Sequence, residues 1–173
     1  MTTASPSLPA GGSPYRVVLV CLGNICRSPM ADVVANRLLD EARARGETLD
    51  VEVTSAGTAG WHVGRPMDDR AAEVLRRSSY DPSRHRARQF GPELFDHDLV
   101  LAMDRSNLVD VLARVPADRH DRVRLFRSFD PEAGGVDVPD VPDPYYGGDE
   151  GFHDVLAMVE RTTAHLVAEL ARR

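Results

Sequence analysis

The chain has 173 residues, a length that suits one domain, and 42% of them are hydrophobic, enough to build a sizeable core. Its formal net charge is −6 and its basic residues are scattered rather than blocked, which argues against a nucleic-acid-binding surface. Two cysteines, Cys21 and Cys26, are too few for a disulfide framework and lack a second ligand pair for zinc, so a reducing, cytoplasmic setting is expected.

Residues 1–14, MTTASPSLPAGGSP, are rich in Ser, Pro and Gly and carry no basic side chain. They are expected to form a disordered tail rather than a signal peptide, with the folded domain spanning residues 15–173. No segment reaches the roughly 18 apolar residues that span a bilayer, so no membrane association is expected. Residues 17–20, VVLV, read as a buried strand. Helical spacing of Val33, Val34, Leu38 and Leu39 predicts a helix over 29–45, ending near Gly46. A short strand follows over 49–54, running into Ser55-Ala56-Gly57-Thr58, and a helix over 68–77 carries Ala71, Ala72, Val74 and Leu75 on its inner face. Further on come a strand over 95–101, a helix over 106–114, a strand over 123–126 and a long amphipathic helix over about 151–172. The connection over 127–150 is long for a compact α/β domain and contains DVPDVPDPYYGG, the kind of loop that serves as a lid or remains a disordered insert. Strands alternating with helices predict one doubly wound α/β domain, a parallel sheet covered on both faces. In such sheets ligands sit beyond the carboxyl ends of the strands.

The first strand ends at such a place. In VVLVCLGNICRSPMADVV, residues 17–34, Cys21 and Arg27 bracket a turn holding Gly23 and Asn24, the residue types that most readily accept positive φ. A turn closing onto a helix start gathers backbone N–H groups into a concavity, and the helix dipole adds positive potential. Arg27 adds a planar fork that fits two phosphate oxygens, and Ser28 brings a hydroxyl near Cys21. Positive surroundings favour the thiolate, which is the form that attacks. Nucleophile and anion cradle therefore coincide, and a phosphate monoester held there meets the sulfur in line. A lone cysteine at a strand end is more often a small buried hydrophobe. The strand before, the helix after, and the Gly, Asn and Ser in their places favour catalysis.

VCLGNICRSPMA, TSAGT with Trp61 following, RHRARQF, LAMDRSNL and DPYYGG occur in the order found in the low-molecular-weight protein tyrosine phosphatases, and the chain resembles that family from about Arg16 to its C-terminus. The resemblance implies a four-stranded parallel sheet in flavodoxin-like order 2-1-3-4, a phosphocysteine intermediate, no metal and no cofactor. It implies Cys21 as nucleophile, Arg27 as the phosphate and transition-state residue, and Asp143 as general acid and then base. The phosphate-binding loop would comprise Leu22, Gly23, Asn24, Ile25, Cys26 and Ser28, with Ser28 stabilising the departing thiolate. Asn24 would be left-handed and, with Ser55 and His85, would hold the loop by hydrogen bonds. Leu22, Ile25, Trp61, Tyr145 and Tyr146 would line the slot for the substrate ring. Cys26 would protect an oxidised Cys21 as a disulfide. The implied partners are phosphotyrosine-containing proteins, with phosphate or another oxyanion in the site, and the implied state is a monomer.

Read without the family, Asp137, Asp140 and Asp143 are three equivalent residues of one acidic loop. His85 lies among Arg84, Arg86 and Arg88 on what reads as an exposed basic face, and His62 and Arg65 follow Trp61 with a role only in tuning peptide preference. An arsenate reductase on the same scaffold is the rival enzyme, disfavoured because its cysteine relay finds no cysteine after Cys26. A catalytically idle phosphopeptide-binding module is the rival of another class, disfavoured by an intact Cys21, Arg27 and Asp143.

Overall fold

The computed structural model describes residues 6–133 and 136–173. Strand β1 (Tyr15–Cys21) is buried along nearly its whole length, as its run of β-branched and aliphatic residues requires of a central parallel strand. It is flanked by β2 (Val51–Gly57) and β3 (Leu99–Ala102), and β3 pairs in turn with β4 (Val123–Leu125). Among the described residues these form one four-stranded, all-parallel sheet in the order β2-β1-β3-β4, the order expected. The side chains of β1 alternate between two cores. Val17, Leu19 and Cys21 face helices α1 (Arg27–Ala44), α2 (Asp69–Arg77) and α4 (Glu150–Leu170), whereas Val18 and Val20 face α3 (Arg105–Leu112) and the segment carrying Phe90 and Leu94. Helices thus cover both faces. No helix among the described residues is long and apolar enough to cross a membrane.

Several boundaries differ from the sequence reading, each for a local reason. Helix α1 begins two residues before Pro29, because the Met30 N–H closes a first turn on the Cys26 carbonyl at 3.1 Å, and Pro29 lies where a helix has no use for an N–H. Strand β2 continues through Ser55-Ala56-Gly57, whose small side chains gave no strand signal. A Cβ at Gly57 would lie 2.7 Å from the Leu22 carbonyl oxygen and 2.9 Å from the Asn24 nitrogen, so the strand end passes directly under the turn that follows Cys21. Strand β3 starts at Leu99 rather than at residue 95. Phe95 belongs to the turn after a 3₁₀ segment (Pro92–Leu94), donates to the Pro92 carbonyl and packs its ring 5.4 Å from that of Phe90. Two further 3₁₀ segments, Ala117–Arg122 and Phe126–Phe129, flank β4.

Residues 6–14 do not behave as the disordered tail expected. The Gly12 N–H donates to Asp98 Oδ1 at 3.2 Å, the Pro9 carbonyl accepts from the Tyr15 hydroxyl at 3.1 Å, the Ser7 carbonyl accepts from Arg124 at 2.7 Å, and Leu8 packs against the larger core. Backbone groups make these bonds, so a composition of Ser, Pro and Gly does not reveal them. The same expectation for residues 1–5 lies outside the described residues.

The connection from β4 to α4 is anchored rather than loose over much of its length. Asp130 is fully buried and takes both prongs of Arg161, at 2.7 and 2.8 Å, together with Arg127 at 3.0 Å. Burial pushes its carboxyl up, but the bonds from Arg161, the Glu132 N–H and Arg127 outweigh this and hold it down at about 2. Further along, the fully buried Val141 donates its N–H to the Met103 carbonyl at 2.8 Å, which ties the segment across the end of β3.

Candidate active site

The turn between β1 and α1 is shaped by its carbonyls. Those of Cys21 and Leu22 accept from the N–H groups of Thr58 and Ala59, each at 2.9 Å. That of Ile25 accepts from Asp68 N–H at 2.8 Å, and that of Cys26 from Met30 N–H. The Asn24 carbonyl meets His85 Nε2 at 2.7 Å, and since a carbonyl only accepts, Nε2 carries the proton. Burial pushes the His85 pKa down, consistent with a neutral ring in that role. With five of the six carbonyls of residues 21–26 engaged by the scaffold, the amides between them turn inward as an anion nest. One amide shows this directly: the Asn24 N–H donates to Cys21 Sγ at 3.3 Å.

Asn24 is the keystone of the curve. Its φ is +54°, in the left-handed region, as its residue type permits. Its buried side chain accepts from the Arg88 N–H at 3.0 Å and donates to Ser28 Oγ at 2.9 Å. Ser28 Oγ in turn lies 3.0 Å from Cys21 Sγ and 3.3 Å from the Ala56 carbonyl oxygen. With Asn24 donating to that oxygen, the single hydroxyl proton is directed to one of those two acceptors, and the sulfur is the nearer.

Ser55 does not join this network as expected. Its hydroxyl donates to Asp32 Oδ2 at 2.8 Å, and only its backbone carbonyl, accepting from Arg88 Nε at 3.1 Å, connects it to the residue that holds Asn24. Asp32 itself is half-buried on α1, and desolvation pushes its carboxyl up to about 6 despite bonds from Ser55 and Asn36.

Arg27 is buried, and its guanidinium is fixed at three points. Nη1 reaches Asp104 Oδ2 at 2.5 Å and the Val141 carbonyl at 3.0 Å, while Nη2 reaches Asp143 Oδ2 at 3.2 Å. Asp104, beyond the end of β3, also caps α3 by accepting the Asn107 N–H at 2.7 Å. Sequence reasoning assigned Asp104 no role, although its position beyond a parallel strand's carboxyl end was a usable signal. Of the three loop aspartates, only Asp143 meets Arg27; Asp137 and Asp140 pair with Arg105 at the start of α3.

Cys21, Leu22, Gly23, Ile25, Cys26, Arg27, Trp61, His62, Asp143, Tyr145 and Tyr146 line one cavity of about 230 Å³. Trp61 and Tyr146 are largely exposed on its rim, and the Tyr145 and Tyr146 rings meet edge-on, 5.0 Å apart. His62 packs so closely on the loop that a Cβ at Gly23 would stand 3.1 Å from its ring. Arg65 lies outside the cavity, where its carbonyl accepts the Ala87 N–H at 2.8 Å. Cys21 and Cys26 are both free thiols, and burial, with help from Asp68, pushes the Cys26 thiol well up.

A narrow slot with an anion nest and a sulfur at its floor, and a carboxyl at its wall, is suited to transferring a phosphoryl group from an aromatic ester to the sulfur. The family model described as low molecular weight phosphotyrosine protein phosphatase matches residues 16–173. A low molecular weight protein-tyrosine-phosphatase of Streptomyces coelicolor is 46% identical over 156 residues, covering 89% of this chain and 92% of its own. The crystal structure of YfkJ from Bacillus subtilis superposes with a TM-score of 0.81 at 31% identity, covering 93% of this chain and 97% of its own. That of a protein tyrosine phosphatase from Entamoeba histolytica, with Hepes in the active site, gives 0.80 at 30% identity over 91% and 97%.

Proposed function

Because the chain belongs to the low molecular weight phosphotyrosine protein phosphatase family, a family of hydrolases that work through a cysteine, we propose that residues 15–173 form a catalytic domain that hydrolyses phosphotyrosine in proteins, and small aryl phosphates, with Cys21 as nucleophile and Asp143 as general acid and base. The observation that carries this reading is the meeting of the Cys21 sulfur, the Arg27 fork and the Asp143 carboxyl around one cavity.

In the first step Cys21 Sγ attacks phosphorus, and Asp143 gives a proton to the departing phenolic oxygen. The nest amides and Arg27 hold the three equatorial oxygens, whose charge grows most in the transition state. Asp104 and the Val141 carbonyl keep the guanidinium in place, so it needs no reorganisation as the reaction proceeds. In the second step Asp143 takes a proton from water as its oxygen attacks the phosphocysteine, and Ser28 Oγ stabilises the sulfur that leaves. Leu22, Ile25, Trp61, Tyr145 and Tyr146 line the slot for the substrate ring. The Entamoeba enzyme holds Hepes, a sulfonate buffer, in its active site, which supports the reading that an oxyanion binds here. Cys26, protonated and lining the same cavity, is placed to condense with a Cys21 sulfenic acid, forming a disulfide and releasing water.

The test is a series of aryl phosphates with phenols of graded acidity. Asp143→Ala should slow phosphocysteine formation from weakly acidic phenols about 10² to 10⁴-fold, the range for general acid catalysis, while esters of strongly acidic phenols suffer far less. Equal dependence on phenol acidity in wild type and Asp143→Ala would overturn the assignment.

A further inference from the structure

Helix α2 begins beside the phosphate-binding loop, and its first turn reaches from that loop to the segment bearing the acid. Asp68, its N-cap, donates its N–H to the Ile25 carbonyl at 2.8 Å, and its carboxylate accepts from the Arg70 N–H at 2.9 Å and from Arg70 Nε and Nη2, each at 3.1 Å. The same Nη2 donates to the Tyr145 carbonyl at 3.1 Å. The guanidinium stands over the Phe152 ring of α4 at 4.6 Å and over the Tyr145 ring at 5.5 Å. Tyr145 donates its own N–H to Asp143 Oδ1 at 3.1 Å. A continuous chain of contacts therefore runs from Ile25 through Asp68, Arg70 and Tyr145 to Asp143.

We propose that Arg70 is a positioning residue for the general acid: by gripping Tyr145 from Asp68, it fixes the Asp143 carboxyl at the correct distance from the phosphate-binding loop. The proposal rests on the reading of Asp143 given above. A partly exposed ion pair between Asp68 and Arg70 would by itself contribute little to stability and would not orient the acid. What distinguishes this pair is that Nη2 ties the first turn of α2, itself bonded to the phosphate-binding loop, to the backbone just beyond Asp143, a second tie between the two loops beside that of Arg27. The side chain of Asp143 is 36% exposed, and among the described residues its oxygens are held, beyond Arg27, by the Tyr145 N–H alone. The backbone of Tyr145 thus sets which way the carboxyl points, and Arg70 holds that backbone. A carboxyl turned away from the leaving oxygen costs rate only where the proton is needed.

The experiment measures phosphocysteine formation across the same phenol series in Arg70→Met, Arg70→Lys, Asp143→Ala and the double variant Asp143→Ala with Arg70→Met. Arg70→Met should lose about fivefold to tenfold on weakly acidic phenols, a fraction of what general acid catalysis supplies, and less than twofold on strongly acidic ones. Arg70→Lys keeps the charge and can still donate to one of the two partners, Asp68 or Tyr145, and should recover part of the lost rate on weakly acidic phenols. In the double variant the dependence on phenol acidity should equal that of Asp143→Ala alone, because there is no acid left to position. A merely structural role for Arg70 would reduce all esters by one factor, since misfolded enzyme is lost equally to every substrate; that result would overturn the proposal, as would further steepening in the double variant. A steeper dependence in Asp143→Ala with none in Arg70→Met would remove Arg70 and leave the acid standing. No steepening in Asp143→Ala would remove both.

Discussion

The two walls of the cavity are built in opposite ways. The phosphate-binding loop, from Cys21 to Ser28, is one continuous stretch whose carbonyls, keystone asparagine and arginine are bonded to the scaffold behind it, and Asn24, Arg27 and Ser28 are all buried. The facing wall, Asp143 to Tyr146, is held by a few side-chain contacts, from Arg27 at Val141 and Asp143 and from Arg70 at Tyr145, and opens to solvent at Tyr146, which is almost fully exposed. The difference follows the chemistry. A nest that stabilises charge must not reorganise, whereas an acid must reach the leaving oxygens of different esters and later admit water. Arg27 bonds to both walls, which makes it the sharpest probe of the contrast.

Arg27→Lys should have the largest effect that falls on every ester alike among the substitutions that leave the nucleophile intact. An ammonium cannot hold two equatorial oxygens together with Asp104 and the Val141 carbonyl, so turnover should fall about 10²- to 10³-fold for every ester regardless of phenol acidity, as for loss of a preorganised oxyanion donor. Steady-state rates on a strongly and a weakly acidic phenol would reveal it. A loss confined to the weakly acidic phenol would place Arg27 functionally with the acid wall and blur the distinction.

A smaller effect is expected beneath the rigid wall, at Asp32. Burial raises its carboxyl from 3.8 to about 6, so the folded protein holds the proton more tightly than the unfolded chain. This group's contribution to stability is therefore greatest below pH about 4, declines as pH rises toward 6, and stays lost above it. Asp32→Asn, which imitates the protonated form, should change stability little at pH 4 and raise it at pH 7.5 by up to about 3 kcal/mol, from roughly two pKa units at 1.36 kcal/mol each. Urea unfolding at the two pH values would measure it. Destabilisation at pH 7.5 would show that the attraction of the carboxylate to Arg88 outweighs its burial.

This asymmetry between the walls also governs what the sequence discloses. Cys21, Asn24, Arg27 and Ser28 are legible because a strand, a turn and a helix start lie within eight residues, and local residue types dictate the curve. Asp104 is only half legible: its place beyond the carboxyl end of a strand points to the site, but its partner Arg27 is 77 positions away and nothing in LAMDRSNL announces that contact. Asp143 is singled out from Asp137 and Asp140 only through the family resemblance; what separates them in space is Arg105, which draws the other two away. The expected hydrogen-bonding role of Ser55 in holding the loop gives way to a bond with Asp32, a half-buried carboxylate that reads in sequence as an ordinary helical acid. The alternation of strands and helices, by contrast, needed only hydrophobic periodicity, and the sheet order followed from the resemblance. The strap over residues 6–14 escaped notice because backbone groups, which every composition supplies, tie it down.

The most direct test of the account is to find the covalent intermediate. Wild-type enzyme turning over an aryl phosphate, quenched in acid and cleaved after arginine, yields the peptide of residues 17–27, which contains both cysteines. Mass spectrometry should find one phosphoryl group on this peptide, fragmentation should place it on Cys21, and Cys21→Ser should show none on either residue 21 or Cys26. A phosphoryl group on Cys26, or turnover by wild type with no phosphocysteine at any quench time, would contradict the assignment of Cys21 as nucleophile.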